Sequence, residues 1–376
     1  MSKATDPGRY MKPFVDPAIA VTEAVTGIYA VQEELLRRRP GLWDVVRQVA
    51  AGGDPPIPSY ARVPQDALVS MVLGSAIDLM WRRTRTVYAV HPDMAAELTG
   101  STSDVLAGSV FRHLPHTCPL LVFAEPLPTR LANGQPGRVY GVYVVGSVRT
   151  ARGGSRYVST DDEDMATLSL MIVTGAEDEA GRWQDWELSR VRVPLAERFT
   201  VADAIAASIA HYSLDESVQD GRTIADVETW LGSILPVILN TLLYACTDDA
   251  DTIAVPAPRA GRKAKAKRGK DNRREKPTRV LKLGWRLGPA LKAARAAARQ
   301  ASRAAAHTGR RLPPHQRRGH FKMVRYGPEL CYEKPAYIKP YMVSLDLLAE
   351  LGLDTRLIPV QARRTAQRPR ETATRK

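Results

Sequence analysis

Arg138-Val139-Tyr140-Gly141-Val142-Tyr143-Val144-Val145-Gly146-Ser147-Val148 sets the fold class. β-branched and aromatic residues dominate it, which predicts a strand. Strict alternation places Val139, Gly141, Tyr143 and Val145 on one face, and Tyr140, Val142 and Val144 on the other. Gly134 and Gly137 supply the turn before it. Thr84–Val90, Pro119–Ala124, Met165–Thr174 and Trp186–Val193 have the same character, so the centre of the chain reads as an antiparallel meander. Asp161-Asp162-Glu163-Asp164 falls between two of these strands. A cation site needs ligands converging from several segments, so this run reads as a charged loop tip that keeps an edge soluble.

Helical periodicity flanks the strands on both sides. Val21, Val25, Ile28, Val31 and Leu35 recur at steps of three and four up to Pro40. Leu42, Trp43, Val46 and Val49 make a short helix that ends at Gly52-Gly53. Pro64 opens a third helix through Leu68, Val72, Ala76 and Leu79. After the strands, Thr200 or Asp203 caps one helix, and Thr223 caps a longer one, Ile224–Ala245. That last helix is apolar on more than one face, so it belongs in the core, kinked at Pro236. Its apolar run Leu231–Cys246 is shorter than the roughly 18 residues of a membrane span, so no membrane role is read. Helices, then strands, then helices is the order of an α+β protein.

Charge divides the chain. Residues 1–257 hold 22 Lys/Arg against 32 Asp/Glu, and residues 258–320 hold 21 against 2. An asymmetry of that size points to a polyanion partner for the second part. The composition predicts an acidic α+β domain over 1–256, a flexible basic linker over 257–279 and a disordered basic tail over 353–376. Between linker and tail, 280–352 reads as a basic helix plus a C-terminal hairpin that packs on the first domain and completes its sheet. Three scattered cysteines, Cys118, Cys246 and Cys331, fit a reducing cytoplasm, and no apolar leader follows Met1. No G-x-G-x-x-G after a strand, Walker A, G-x-S-x-G or C-x-x-C motif is present, so no cofactor is implied.

Two stretches of the basic part carry the chemistry. From Pro289 towards Gly309 runs a helix that is almost all alanine apart from Lys292, Arg295, Arg299 and Arg303, which lie on one face at steps of three, four and four. Alanine has high helix propensity but little area to bury, so the stripe reads as phosphate contacts along a duplex or an RNA groove. After it comes Leu312-Pro313-Pro314-His315-Gln316-Arg317-Arg318-Gly319-His320-Phe321. Arg317 and Arg318 offer guanidinium forks for phosphate or carboxylate. Gly319 permits a close backbone approach or a positive φ. Phe321, Tyr326, Tyr337 and Tyr341 flank Gly327-Pro328 as a hairpin with buried aromatics.

For His315 and His320 three roles stay open. They lock the hairpin by hydrogen bonds, or they belong to a binding surface with Arg317 and Arg318. Alternatively they serve as base and acid of a ribonuclease-like enzyme, with an arginine stabilising the phosphorane. Metal binding is not read, since the nearest further ligands, His307 and Cys331, stand at no recognised spacing.

Pro313, His315, Arg317, Arg318, Gly319, His320, Phe321, Tyr326, Gly327, Pro328, Tyr337, Ile338, Pro340 and Val343 together resemble the C-terminal signature of anti-CRISPR proteins of phages and plasmids. The matching family is the type V group that suppresses production of a Cas effector. Leu114-Pro115-His116, Asn240–Cys246 and Asp249-Ala250-Asp251 are similar to it as well. Phe321 stands where the family often has Trp. The resemblance implies a cytoplasmic, mobile-element-borne anti-defence protein that is not an enzyme. Its implied partners are a nascent protein such as a Cas effector, the ribosome, or RNA. Gly319, Phe321, Tyr326, Gly327 and Pro340 are the signature's expected structural positions.

Overall fold

The computed structural model describes residues 17–39, 41–60, 65–131, 134–149, 155–177, 183–214, 223–255, 278–308 and 315–343. The linker expected over 257–279, apart from 278 and 279, and the tail over 353–376 lie outside the described residues, as do Pro313 and Pro314. Three helices lead: α1 (Pro17–Arg37), α2 (Leu42–Ala50) and α3 (Gln65–Thr84). Then come β1 (Thr86–Val90), α4 (Pro92–Thr99), β2 (Thr102–Ser103) and β3 (Leu106–Ala107). The meander is β4 (Leu120–Arg130), β5 (Pro136–Arg149), β6 (Ser155–Val158), β7 (Thr167–Glu177) and β8 (Trp183–Pro194). After β9 (Arg198–Phe199) follow α5 (Val201–Leu214), α6 (Ile224–Ala245), β10 (Thr252–Val255), β11 (Arg279–Leu283) and α7 (Leu287–Thr308). Last are β12 (His315–Arg317), β13 (His320–Tyr326), β14 (Tyr332–Ile338) and β15 (Tyr341–Val343).

The fold is α+β, and its large sheet runs β10-β11-β1-β4-β5-β7-β8, with β6 on β5. The meander half is antiparallel, as its alternation predicts. The other half is mixed, because β1 pairs in parallel with both β4 and β11. Parallel neighbours need a long crossover, and here α4 and α6 lie in those connections. The hairpin β13–β14 does not complete this sheet, contrary to the sequence expectation. It forms its own three-stranded sheet with β2, and β12 pairs with β15 apart from it. The segment that does enter the large sheet is β11, from the basic part of the chain.

Helices cover both faces. On one side Val25, Leu36, Leu42, Val46, Leu68, Val72 and Trp81 pack against Tyr140, Tyr143 and Val145 of β5. On the other, α4, α6 and the hairpin's Phe321 and Tyr337 pack with Val139, Val142 and Val144. Strict alternation therefore fails within β5. A register shift between Val139 and Gly141 adds one residue, and one extra residue flips every side chain before it to the other face. In α1, Val25 of the expected stripe is buried, but at its end Leu36 is buried and Leu35 exposed, and Thr22 and Gln32 are buried as well. α6 is long and apolar enough to cross a membrane, yet most of that length is buried inside the protein, as for a core helix. Its first turn closes with a capping box between Thr223 and Asp226.

Leu114-Pro115-His116 finds its role at the parallel strands. Arg279 at the start of β11 donates from Nη1 to His116 Nε2 at 3.1 Å. A guanidinium can only donate, so the ring proton sits on Nδ1, which donates to Tyr88 Oη of β1 at 3.0 Å. Burial first, and the Arg279 charge second, push the His116 pKa below its usual value. Folding therefore favours the neutral ring. Its contribution to stability is complete above the ordinary histidine pKa of about 6.5 and is lost as pH falls through the lower folded value. Urea unfolding at about pH 7.5 and about pH 5.5 is expected to show the loss in the parent, and a smaller one in His116→Gln.

Candidate functional site

The signature converges on α4, an element without a long apolar period. His91-Pro92-Asp93 opens it: His91 Nδ1 accepts from Asp93 N at 3.1 Å, proline fills the first turn, and Asp93 faces the positive end. α4 is not among the helices expected from the sequence, and these three residues are the signal that could have found it; Met94, Ala95 and Leu98 are its buried apolar face. Burial, with Lys292 and Arg295 nearby, holds the His91 pKa low, while Asp93 opposes them. At the other end Asn240 of α6 donates from Nδ2 to the carbonyls of Leu98 (2.8 Å) and Ser101 (3.0 Å). The Leu98 carbonyl, in the last turn, also accepts from the Ser101 amide at 3.2 Å, so Asn240 adds a second donor there. A buried asparagine within an apolar helix thus serves as a remote C-terminal cap.

Glu97, only 5% exposed, is the centre. Its Oε1 accepts from the Gly319 amide at 3.1 Å, and its Oε2 lies 3.6 Å from Arg295 Nη1. Arg295 also reaches Asp93 Oδ1 with Nη2 at 2.6 Å and the Asp93 carbonyl with Nη1 at 3.2 Å. Ser101 Oγ donates to the Glu97 carbonyl at 3.1 Å and lies 3.4 Å from Tyr337 Oη. Burial drives the Tyr337 pKa well up, so it stays a phenol. Its ring meets Phe321 at 4.8 Å and stands edge-on to Tyr244 at 5.2 Å. Tyr244 Oη in turn accepts from Asp251 N at 2.8 Å, and Asp251 Oδ2 takes the Arg286 and Leu287 amides at 2.6 and 2.9 Å. Asp251 is therefore the N-terminal anchor of α7.

Gly319 is glycine for close approach, not for φ. A Cβ there would stand 2.0 Å from Tyr337 Oη. Gly327 is the residue that needs positive φ, at +79°, in the turn between β13 and β14. Phe321 and Pro340 are buried. Tyr326 is not. It lies five residues after Phe321 and so on the opposite strand face, where it is 39% exposed.

The predicted binding residues divide. Arg295 turns inward to α4 and is a structural clasp. Lys292, Arg299 and Arg303 stay exposed on α7. Arg317 and Arg318 are exposed as well and do not pair with buried carboxylates among the described residues. Arg317 Nη1 donates to Tyr341 Oη at 3.0 Å, and Arg318 Nη1 reaches the Gly100 carbonyl at 3.5 Å. His315 and His320 belong to different sheets, β12 with β15 and β13 with β2 and β14. The His315 side chain lies outside the described residues.

Gly319→Ala is expected to overpack the Tyr337 ring and lower the unfolding free energy by about 1–3 kcal/mol in urea. Adding Tyr337→Leu to the same chain is expected to recover part of that loss.

The model of the anti-CRISPR type V subtype A2 family (AcrVA2-like) matches residues 88–345, about two thirds of the chain. Among solved structures, the crystal structure of AcrVA2 is similar at 17% sequence identity. That match covers 83% of this chain and 97% of the other, with a TM-score of 0.41. No curated protein matches.

Proposed function

Because the chain belongs to the anti-CRISPR type V subtype A2 family, we propose that it is a mobile element's anti-defence protein that acts by binding RNA rather than by catalysis. In this reading the Cas effector is the system countered, and RNA of the translating ribosome is what the protein touches. One observation carries it. Of the four basic residues in the α7 stripe, Arg295 clasps α4, while Lys292, Arg299 and Arg303 keep their charges in solvent without a carboxylate partner among the described residues. β12 packs along α7, which brings Arg317 and Arg318 to the same side of the molecule. A clasped helix with an unneutralised outer row suits a phosphate backbone, because each phosphate engaged releases counterions. The segregation of charge between the acidic and basic parts supports the same reading.

Support for the non-catalytic half comes from the signature's engagements. Gly319 and Tyr337 are committed to Glu97 and Ser101, and the two arginines meet neutral oxygens rather than an acid–base pair. The test is the salt dependence of binding to a labelled RNA duplex. Lys292→Gln, Arg299→Gln and Arg303→Gln combined are expected to flatten the slope of log K against log salt by about 0.7 to 0.9 for each phosphate no longer neutralised. Arg295→Gln is expected to lower the unfolding midpoint and leave that slope in place. An unchanged slope in the triple variant, or RNA cleavage by the parent, contradicts the reading.

A further inference from the structure

The hairpin's second face is open. Phe321 and Met323 of β13 and Tyr337 of β14 lie on the core, and alternation puts Arg325, Glu333 and Pro335 on the same face of the hairpin. Alternation sends His320, Lys322, Val324 and Tyr326, with Tyr332, Lys334, Ala336 and Ile338, to the other side. Thr102 of β2 is in register with His320 and extends that side. On it Lys322, Tyr326 and Tyr332 are exposed, and His320, Val324, Lys334, Ala336 and Ile338 are half-buried. Three of the five large hydrophobics exposed among the described residues stand at its tip: Tyr326 (39%), Leu330 (58%) and Tyr332 (55%).

The tip is built rather than loose. Tyr326 and Tyr332 pair across the strands with ring centroids 5.6 Å apart. Tyr332 folds against Gly327, where a Cβ would stand 2.4 Å from its ring. Glu329 and Leu330 are held in the left-handed region at φ 50° and 57°, with Leu330 N bonded to the Gly327 carbonyl at 3.2 Å. Lys334 Nζ sits 4.9 Å from the Tyr326 ring centroid and pairs with Asp248. The two strands contribute Lys322, Lys334 and His320 to this face but no carboxylate. Asp248, after α6, supplies the carboxylate that pairs with Lys334.

We propose that this face is a platform for single-stranded nucleic acid, with bases stacking on Tyr326 and Tyr332 and the backbone following Lys322 and the exposed Arg317 and Arg318. It rests on the polyanion reading of α7 and deepens it, because α7 offers charge alone whereas the hairpin adds rings. Charge complementarity favours this occupant over a protein segment. A sheet face with two adjacent rings, cations and no acid of its own matches a chain that alternates phosphates with flat π-surfaces. Duplexes keep their bases stacked inside and offer these rings nothing, so the platform discriminates strands by pairing state.

The test uses the full chain and fluorescence anisotropy with labelled oligouridine and a labelled RNA duplex of equal length. Tyr326→Ala with Tyr332→Ala is expected to weaken oligouridine binding roughly tenfold or more and leave duplex binding and the melting temperature as in the parent. Tyr326→Phe with Tyr332→Phe is expected to bind like the parent, since stacking needs the ring and not the hydroxyl. An oligodeoxythymidine probe tells RNA from DNA, and loss of either single strand in the alanine variant supports the platform. Unchanged oligouridine binding in that variant overturns the platform and leaves the face to a protein segment. In that case a loss in the Lys292, Arg299 and Arg303 variant would still uphold the α7 reading. Equal losses for single strand and duplex also overturn it, as does a parent that binds neither probe, and the latter removes the α7 reading too.

Discussion

A single buried carboxylate holds the two halves of this chain together. Glu97 takes the Gly319 amide on one oxygen and faces Arg295 with the other. Removing a charge from water is costly unless it is paired and hydrogen-bonded, and here both partners come from far along the sequence. Gly319 can make that bond only because no side chain separates it from Tyr337. The position of Tyr337 then fixes Phe321 and Tyr244, and through Tyr244 and Asp251 the start of α7. One carboxylate thereby sets the hairpin and the basic helix against the same short helix, α4.

That arrangement determines which charges remain for function. Arg295 is shared between Asp93 and Glu97, so its charge is engaged in the seam between α4 and α7. Outward of the seam stand the exposed cations Lys292, Arg299 and Arg303 on the helix, Arg317 and Arg318 at and just after the end of β12, and Lys322 on the hairpin. The basic part of the chain is thus not an appendage to an acidic domain. β11 is a strand of the central sheet, tied through Arg279 and His116 to Tyr88. Its outer row of charge is carried on a scaffold built from both parts.

Much of the architecture was legible in local pattern. The α+β class, the meander, the Thr223 cap and the central burial of α6 all follow from period and capping chemistry. What escaped were features set by a single residue or by partners far away. The bulge at Gly141 inverts the faces of β5 without disturbing its composition. α4 has only eight residues, too few for a visible period, and its capping signal at His91-Pro92-Asp93 is short. The stripe of Lys292, Arg295, Arg299 and Arg303 looks uniform in sequence. Only Asp93 and Glu97, some two hundred residues earlier, separate the clasp from the free row. Of the hairpin's expected aromatics, strand parity buries Phe321 and Tyr337 and sends Tyr326 to the other face, where it pairs with Tyr332, which is not among those expected from the sequence.

If Glu97 joins the halves as described, the C-terminal signature belongs to the same cooperative unit as the central sheet. Native-state hydrogen exchange of the Gly319 amide, measured beside the amides of β1, addresses that directly. Gly319 is then expected to open only with the sheet, and the two opening free energies to agree within about 1 kcal/mol. A Gly319 amide that exchanges several kcal/mol more easily than β1, roughly the signature of a separate subglobal unit, would contradict it.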